Sequence, residues 1–510
     1  MDTFDSYILF IIIALPLAGA VVLMLTPGDR PGRVRWTASA FALTEMLLSF
    51  YVFLVYYVDY RETGGLQFEH TWNWLAIPGP WAFGERAITL TLGLDGLSAP
   101  MVLLTGIVMF TGVLMSWTIQ DRGKDFFVLY FLLLAGVFGV FVSLDLFFFF
   151  FFYELAVLPM YLLIGVWGSS SVFPTFARTK EYSAMKLTIY LVAGSVLVWI
   201  ALLAMFVEAG LGTFNILELQ NAAFSPTFQK VFFPFLAVGF GVLAGLWPFH
   251  TWSPDGHVAA PTAVSMVHAG VLMKLGAFGI MRVGMFLLPE GAEFWMPVLI
   301  GLGTVNVLYG AVSALGQRDL KYVVGYSSIS HMGYVLMGIA TLHPLGVGGA
   351  VLQMFSHGIM TALFFAVIGV IYERTHTRDI GVLEGLAKRM GVTAAFFTVA
   401  GLTSLGLPGL SGFVAELLVF IGLFHTNVAL GVLGIIGAAI TAVYILRLLA
   451  KVFFGPLGEQ WRGQQDASRL EGFSTAVLVG FVLLVGLFPF PFLRVIDSGV
   501  STLLSRFPVA

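Results

Sequence analysis

The sequence contains no cysteine and few charged residues. None of its 510 residues is a cysteine, which excludes disulfide bonds and iron–sulfur clusters held by thiolates. Lysine, arginine, aspartate and glutamate together make up 10% of the chain, against about 25% in a typical soluble domain. This small charged fraction excludes an ordinary soluble protein. The formal net charge of −3 gives no reason to expect a nucleic-acid partner.

Apolar residues make up 59% of the chain. They occur in runs of about 20 residues, the length at which a helix spans a bilayer, whereas a membrane barrel shows alternating segments of about ten residues. The sequence therefore predicts an all-α polytopic membrane protein that forms a single membrane domain over residues 1–510. We predict about fourteen spans, near residues 7–26, 34–57, 93–117, 125–143, 145–166, 181–206, 228–247, 262–287, 293–315, 322–341, 345–371, 392–423, 428–453 and 472–495.

The distribution of basic residues predicts the orientation of the chain. Loops after odd-numbered spans hold sixteen lysines and arginines, whereas the other loops and the tails hold six. Because basic loops stay on the cytoplasmic side, both termini should lie outside. The longest stretch outside the spans, residues 58–92, carries tryptophans typical of a membrane interface, and its segment "AITLTL" predicts a short strand.

Two of the predicted spans contain helix-breaking residues. The seventh carries Pro248 and Pro254, and the twelfth carries Gly406, Pro408, Gly409 and Gly412. Each break follows about four spans into a block of five, so we predict two inverted five-helix repeats, 125–290 and 293–453, each with a broken helix. Helices 1–3 (1–124) would precede the repeats, and a C-terminal helix (472–495) would follow them. The alternative is two ordinary proline kinks.

Several predicted spans carry one ionisable residue near mid-membrane. The phenylalanine-rich segment "LFFFFFFYELAVLPMYLL" holds an acid whose helical neighbours are all apolar, so any partner must come from another helix. Each such group alone is compatible with a structural role, but each charge costs at least about 2.5 kcal/mol to insert. A series of acids, lysines and histidines fits proton transfer, and the spacing does not fit a metal site. The candidates are Glu154, Lys274, His331, His357 and Glu416, with Lys186 as the weakest because it lies near a helix end.

Six segments together resemble a known family. They look like the antiporter-like subunits of respiratory complex I and of Mrp-type cation/proton antiporters, and "YERTHTRDIGVLEGL" (372–386) narrows the resemblance to subunit M of bacterial-type NADH:quinone oxidoreductases. The segments are "GLDGLSAP" (93–100), "PFHTWSPDGHVAAPTA" (248–263), "AGVLMKLGAFGIMR" (269–282), "DLKYVVGYSSISHMGYV" (319–335), "QMFSHGIMTALFF" (353–365) and "GLPGLSGFVAE" (406–416).

The resemblance implies a proton-translocating subunit of an energy-transducing cytoplasmic membrane. Protons would pass from Glu154 and Lys274 through His331 and His357 to Glu416, driven by quinone reduction elsewhere in the complex. The resemblance implies no cofactor in this chain, since NADH, flavin, iron–sulfur clusters and quinone belong to partner subunits. The implied partners are other membrane subunits, especially the neighbouring antiporter-like subunits and the long lateral helix of one of them, together with lipids.

One position departs from the family pattern. The resemblance implies a lysine five residues before Pro248, but that residue is Leu243. His268 stands in the eighth span, where family members often carry an apolar or acidic residue. Glu154 would then pair differently, with His268 or Lys186, or a water chain would replace the lysine, or the subunit would be structural and not pump. A further alternative is an Mrp-type antiporter or an ion-pumping hydrogenase subunit, against which the segment "RTHTRD" argues.

Overall fold

The computed structural model describes residues 3–59, 65–77, 86–172 and 177–507. Helices dominate these residues. A one-turn helix spans Ile216–Leu219. The main helices are α1 (Thr3–Leu25), α2 (Pro31–Asp59), α3 (Ala99–Met115), α4 (Gly123–Val142), α5 (Leu146–Trp167), α6 (Lys180–Ala209), α7 (Pro226–Ala244), α8 (Trp252–Ala259), α9 (Thr262–Met285), α10 (Pro289–Gly316), α11 (Leu320–Ala340), α12 (Pro344–Thr375), α13 (Gly391–Ser404), α14 (Ser411–Thr426), α15 (Val428–Val452), α16 (Arg469–Leu487) and α17 (Phe490–Leu504).

Twelve of the described helices are long and apolar enough to cross a membrane, and α3, α13 and α14 are shorter apolar helices. Every predicted span coincides with one or two of these helices, so the predicted all-α membrane fold is confirmed. The third predicted span starts later than expected, at Ala99, because residues 93 and 94 end a strand. The count of fourteen spans and the inverted repeats remain predictions.

Short strands occur outside the helices. Strands β1 (Gln67–Ile77) and β2 (Arg86–Leu94) form an antiparallel pair, as the segment "AITLTL" predicts for β2. A second, two-residue pair joins β3 (Ser171–Val172) to β4 (Ala177–Arg178). Part of the tryptophan-rich stretch, residues 78–85, lies outside the described residues.

Three helices form the centre of the molecule. The most apolar windows of α9 and α12 are 100% buried by protein, and that of α11 is 94% buried. The helices α9 and α12 approach closely at two glycines, since a Cβ placed on Gly358 would lie 2.6 Å from the Gly270 carbonyl oxygen. Their side chains therefore meet away from lipid, where a polar group needs a protein partner or water.

The predicted break of the seventh span is present. Helix α7 ends at Ala244, and Gly245 adopts the left-handed conformation (φ +78°) that favours glycine. Asn306 of α10 satisfies the freed backbone: its Oδ1 accepts from the Trp247 N–H (2.7 Å), and its Nδ2 donates to the Gly245 carbonyl (2.8 Å). Pro254 does not contribute to the break, because it lies in the first turn of α8, where a proline costs no hydrogen bond.

The predicted break of the twelfth span separates α13 from α14. Gly406 (φ +71°) and Gly409 (φ +91°) both have positive φ in the connecting segment. Non-helical backbone at membrane depth is tolerated where protein satisfies it, and here the Leu407 N–H donates to the Leu402 carbonyl at 3.0 Å. Both breaks are thus built around glycine.

The C-terminal helix predicted over 472–495 is shorter than expected. It ends at Leu487, and a separate helix, α17, begins at Phe490. Pro489 and Pro491 lie at the junction and cannot continue the helix with normal hydrogen bonds. Hydropathy alone does not separate the two helices.

Candidate functional site

Lys274 lies fully buried in the middle of the molecule. It sits in α9 between two π-helical turns, His268–Leu272 and Ile280–Met285. Such turns widen a helix locally and are frequent at functional sites. The ammonium donates to the Ala269 carbonyl of its own helix, and its Nζ lies 2.7 Å from Nδ1 of His357 on α12. A buried lysine thus contacts one carbonyl and one imidazole, and none of the described acids forms an ion pair with it.

His357 and His331 continue from Lys274. Their ring centroids are 5.3 Å apart, and both residues are 1% exposed. Nε2 of His357 has no hydrogen-bond partner among the described residues. Each imidazole can accept a proton on one nitrogen and release one from the other.

His331 Nδ1 has two neighbours that require opposite protonation states. Oε1 of Glu416, on α14, lies 3.3 Å away, and Nε2 of Gln353 lies 3.2 Å away. The nitrogen accepts from Gln353 when it carries no proton and donates to Glu416 when it carries one. Ser404 holds the other ring nitrogen at 2.9 Å. The structure therefore places Lys274, His357, His331 and Glu416 in one buried row, which we call the central row.

Glu416 lies beside the second helix break. A Cβ placed on Gly406 would lie 2.8 Å from Glu416 Oε2, so the break lies against the carboxylate. Ser411, the first residue of α14, accepts a hydrogen bond from Ser356 at 2.7 Å and ties the break to α12. The break thus positions the end of the central row.

Glu154 does not join the central row. It lies on α5, is partly exposed, and has Ser195 of α6 within hydrogen-bonding reach. Among the described residues it forms no ion pair within 4.0 Å, and Leu243 is a fully buried apolar residue. Neither Lys186 nor His268 forms an ion pair with Glu154 among the described residues: Lys186 is paired with Asp255, and neither ring nitrogen of His268 has a partner.

Lys186 belongs to a cluster around Asp255. The carboxylate lies 2.8 Å from Lys186 Nζ and 2.7 Å from an Arg178 nitrogen, and it accepts from the Tyr322 hydroxyl at 2.9 Å. Asp255 is buried in α8, directly after the first break. No role was predicted for Asp255, although its position in the "PFHTWSPDGHVAAPTA" segment is a signal that could have identified it.

Lys321 is a second buried lysine that the sequence does not single out. Counting basic residues assigns it to a loop, but it is the second residue of α11 and is 4% exposed. Its Nζ donates to the Ala260 carbonyl (2.6 Å) and to Ser265 Oγ (3.2 Å). It lines a cavity of about 200 Å³ together with Trp167, Ser169, Thr262 and Arg378, which we call the Lys321 cavity.

His268 is buried against a second histidine. Its ring centroid lies 4.0 Å from that of His257, and neither of its nitrogens has a partner among the described residues. His268 is one of the positions at which the sequence departs from the family pattern, whereas no sequence pattern predicts a role for His257. Within the described residues, no group of three or more potential ligands is arranged to hold a metal ion.

Comparison with known proteins places the chain in a family. The family model described as "NADH:quinone oxidoreductase/Mrp antiporter, TM" matches residues 143–441. The chain belongs to this family. NAD(P)H-quinone oxidoreductase chain 4 of Gloeobacter violaceus is 36% identical over 491 residues, covering 94% of this chain and 89% of the relative. The corresponding protein of Thermosynechococcus vestitus, chain 4 2, is 38% identical with the same coverage.

Solved structures of the NADH:quinone oxidoreductase/Mrp antiporter family share the fold. A chain of respiratory complex I from Thermus thermophilus with bound NADH superposes with a TM-score of 0.87 at 27% identity, covering 98% of this chain and 100% of that chain. A chain of the Mrp complex from Dietzia sp. superposes with a TM-score of 0.84 at 20% identity, which shows the fold alone. The predicted membrane fold and the predicted family are confirmed, and the roles of the site residues remain predictions.

Proposed function

We propose that this chain is the proton-translocating antiporter-like subunit, subunit M, of a bacterial-type NADH:quinone oxidoreductase. Its curated relatives are named as chain 4 of NAD(P)H-quinone oxidoreductases, which favours this function over an Mrp-type antiporter or a hydrogenase subunit. The chain would lie in the energy-transducing cytoplasmic membrane with both termini on the outer side. NADH, flavin, iron–sulfur clusters and quinone would be held by partner subunits.

The central row is the observation that carries this proposal. Four titratable groups from four different helices lie in the protein interior, and the two direct contacts, Lys274–His357 and His331–Glu416, span 2.7 and 3.3 Å. Burying a single charge at this depth is costly. A row in which each member is able to receive a proton from its neighbour fits conduction.

Transfer along the row follows from the donors and acceptors. The Lys274 ammonium gives a proton to Nδ1 of His357. The imidazolium then loses its other proton, the one bound to Nε2. The two ring centroids are 5.3 Å apart, so the next step passes through a water molecule or an imidazole rotation. His331 finally donates from Nδ1 to Glu416, which hands the proton toward the outer face. No covalent bond other than those to the proton changes.

The drive for this transfer would come from partner subunits. Quinone reduction elsewhere in the complex would alter the charge near Lys274 and thereby change its affinity for a proton. The partners would be other membrane subunits, especially neighbouring antiporter-like subunits and the lateral helix of one of them. Exposed apolar side chains such as Ile189, Val196 and Val207 of α6 fit contact with lipid or such partners.

A structural subunit that does not pump is the second candidate. It is favoured by Leu243, which stands where the family resemblance implies a lysine, and by Glu154, which lacks an ion-pair partner among the described residues. The proton-to-electron ratio of the complex separates the two functions. A ratio lower by one subunit's share supports the structural role.

Substitution in the assembled complex tests the proposal. We expect Lys274→Ala and Glu416→Ala, each reconstituted into proteoliposomes, to abolish or strongly reduce the protons moved per NADH oxidised. Lys388→Ala removes an exposed lysine and serves as the matched control, with unchanged stoichiometry. Wild-type stoichiometry in both Lys274→Ala and Glu416→Ala would overturn the proposal.

A further inference from the structure

His343 and His425 stack face to face at one end of the central helices. Their ring centroids are 4.7 Å apart with an interplanar angle of 6°. His343 is the residue directly before α12, and His425 lies in the last turn of α14. In the orientation that the basic loops predict, these ends of α12 and α14 lie at the outer face. The pair is therefore on the side to which the central row would release protons.

His343 caps the N-terminus of α12. Its Nδ1 accepts a hydrogen bond from the Leu345 N–H at 3.2 Å, which is possible only while Nδ1 carries no proton. Protonation of Nδ1 therefore removes the cap. It also places a positive charge at the N-terminal end of a helix dipole, where cations are unfavourable.

His425 is the titratable group that acts on His343. Partial burial and, as the smaller cause, His425 lower the pKa of His343, because both disfavour the charged imidazole. Neither ring forms an ion pair within 4.0 Å among the described residues, so no carboxylate of α11, α12, α14 or α17 holds a proton there. A histidine whose pKa is lowered by folding stabilises the fold above its ordinary pKa of about 6.5, and this contribution is lost as the pH falls through the folded value.

The first turn of α12 packs directly on α14. A Cβ placed on Gly422 would lie 2.5 Å from Gly346 Cα, so the two backbones are in contact. Thr426 Oγ1 also donates to the Thr341 carbonyl at 3.4 Å. The cap, the stacked rings and the glycine contact thus hold the same ends of the two helices together.

This packing continues toward Glu416. One turn further along α12, a Cβ placed on Gly349 would lie 3.0 Å from the carbonyl oxygen of Ala415, the residue before Glu416. Glu416 Oε1 lies 3.3 Å from His331 Nδ1, so a displacement of α14 changes the last contact of the central row. Helix packing therefore connects the histidine pair to the carboxylate.

We infer that His343 and His425 form a pH-dependent clamp that holds α14 against α12 and so positions Glu416. Acid on the outer side protonates His343, the cap is lost, and a proton on each ring adds repulsion between them. The contact between His331 and Glu416 then lengthens, and transport slows. His343 is a positioning residue, because the transported proton does not pass through it. The inference rests on the proposed function, since it requires Glu416 to take part in transport.

The test compares three complexes in proteoliposomes loaded with buffer at about pH 7.5 or about pH 5.5, on either side of the ordinary histidine pKa. With NADH supplied from the bath, the vesicle interior corresponds to the outer face. His343→Asn keeps an N-capping oxygen but does not titrate. His376→Asn is the matched control, because His376 is an exposed histidine at the opposite end of α12 with φ +53°, a conformation that asparagine tolerates.

We expect the initial rate of proton uptake from the bath to fall by about threefold or more at the lower interior pH in the wild type and in His376→Asn. The fall in His343→Asn should be at most half as large. The opposing pH gradient acts on all three complexes alike, so the difference between them reports the clamp.

Hydrogen exchange of residues 341–350 in the purified complex gives a second readout that does not need transport. After correction for the intrinsic effect of pH on exchange, the amides should lose protection in acid in the wild type and in His376→Asn. His343→Asn should keep its protection, because its cap does not titrate.

The outcomes separate this inference from the proposed function. Equal acid sensitivity of transport in His343→Asn and the wild type overturns the clamp, whatever the exchange shows, and leaves the central row intact. Wild-type transport in both Lys274→Ala and Glu416→Ala overturns the proposed function and the inference together. If His343→Asn does not assemble, His425→Gln, which removes the partner ring, replaces it, and wild-type acid sensitivity there overturns the inference equally.

Discussion

Lys274 Nζ and His357 Nδ1 lie 2.7 Å apart, although the two residues are 83 positions apart in the sequence. The contact joins α9 to α12, the two helices that are most completely enclosed by protein. It depends on a close approach of the two backbones, which the absence of side chains at Gly270 and Gly358 allows. The first link of the central row is therefore a consequence of glycine packing as well as of the lysine itself.

Gly358→Ala should weaken this link. The new Cβ would meet the Gly270 carbonyl oxygen at 2.6 Å, so the helices must separate, at a cost of about 1–3 kcal/mol. We expect the complex to assemble with a lower thermal unfolding midpoint and at least a fivefold lower rate of proton transport. Gly480→Ala, at a helical glycine with open space around it, is the control. Unchanged transport in Gly358→Ala would show that the contact distance does not limit transfer.

Gln353→Glu should trap a proton on His331. The added carboxylate would lie near Nδ1, and a charge-assisted hydrogen bond of about 1.5–3 kcal/mol would favour the imidazolium. We expect proton transport to fall about tenfold in proteoliposomes at neutral pH. Gln353→Leu leaves Glu416 as the only partner of Nδ1 and should keep transport within about twofold. Equal rates in the two variants would contradict a switch at this nitrogen.

Hydropathy and breaker residues predict most of the fold, because bilayer thickness fixes helix length and Gly or Pro interrupts hydrogen bonding. They also identify all four members of the central row. The π-helical turns around Lys274 are not predictable in this way, since no glycine or proline pattern specifies them, whereas Pro489 and Pro491 were a usable signal for the separation of α16 from α17.

Sequence patterns do not predict which side chains on different helices contact each other. Nothing in the sequence pairs Lys186 with Asp255, which is 69 residues away. The sequence pattern places Lys321 in a loop, whereas the structure places it in α11, where it is buried. Glu45 of α2 is a further example: it is fully buried, and neither carboxylate oxygen has a hydrogen-bond partner among the described residues. Burial and contact decide the state of such groups, and both are tertiary properties.

Asn306→Ala should destabilise the first helix break. The substitution leaves the Trp247 N–H and the Gly245 carbonyl without the side chain that satisfies them, and each loss costs about 1–3 kcal/mol. We expect a lower unfolding midpoint of the purified complex and less assembled complex on a native gel. Asn221→Ala, at an exposed asparagine, should leave both unchanged. An unaltered midpoint for Asn306→Ala would mean that water replaces the side chain without loss.

Asp255→Asn should cost more stability than Lys186→Ala. The carboxylate interacts with Arg178, Lys186 and Tyr322 at once, so its neutralisation weakens three contacts, by about 1–3 kcal/mol in total. Removing Lys186 leaves the other two partners in place, and we expect less than about 1 kcal/mol. Thermal unfolding of the two purified complexes gives the comparison. The reverse order would contradict the assignment of Asp255 as the centre of the cluster.

Glu154→Gln should reduce proton transport less than Glu416→Gln does. Glu416 contacts His331 directly at 3.3 Å. Glu154 is partly exposed and forms no ion pair among the described residues, and the position where the family resemblance implies a lysine is occupied by Leu243. Because the two substitutions are chemically identical, the difference between them reports the position of the acid. We expect Glu154→Gln to retain at least half of the wild-type protons per NADH in proteoliposomes, and Glu416→Gln to retain less than a fifth. Equal loss in both variants would place Glu154 on the proton path, with water in place of the lysine that the family resemblance implies.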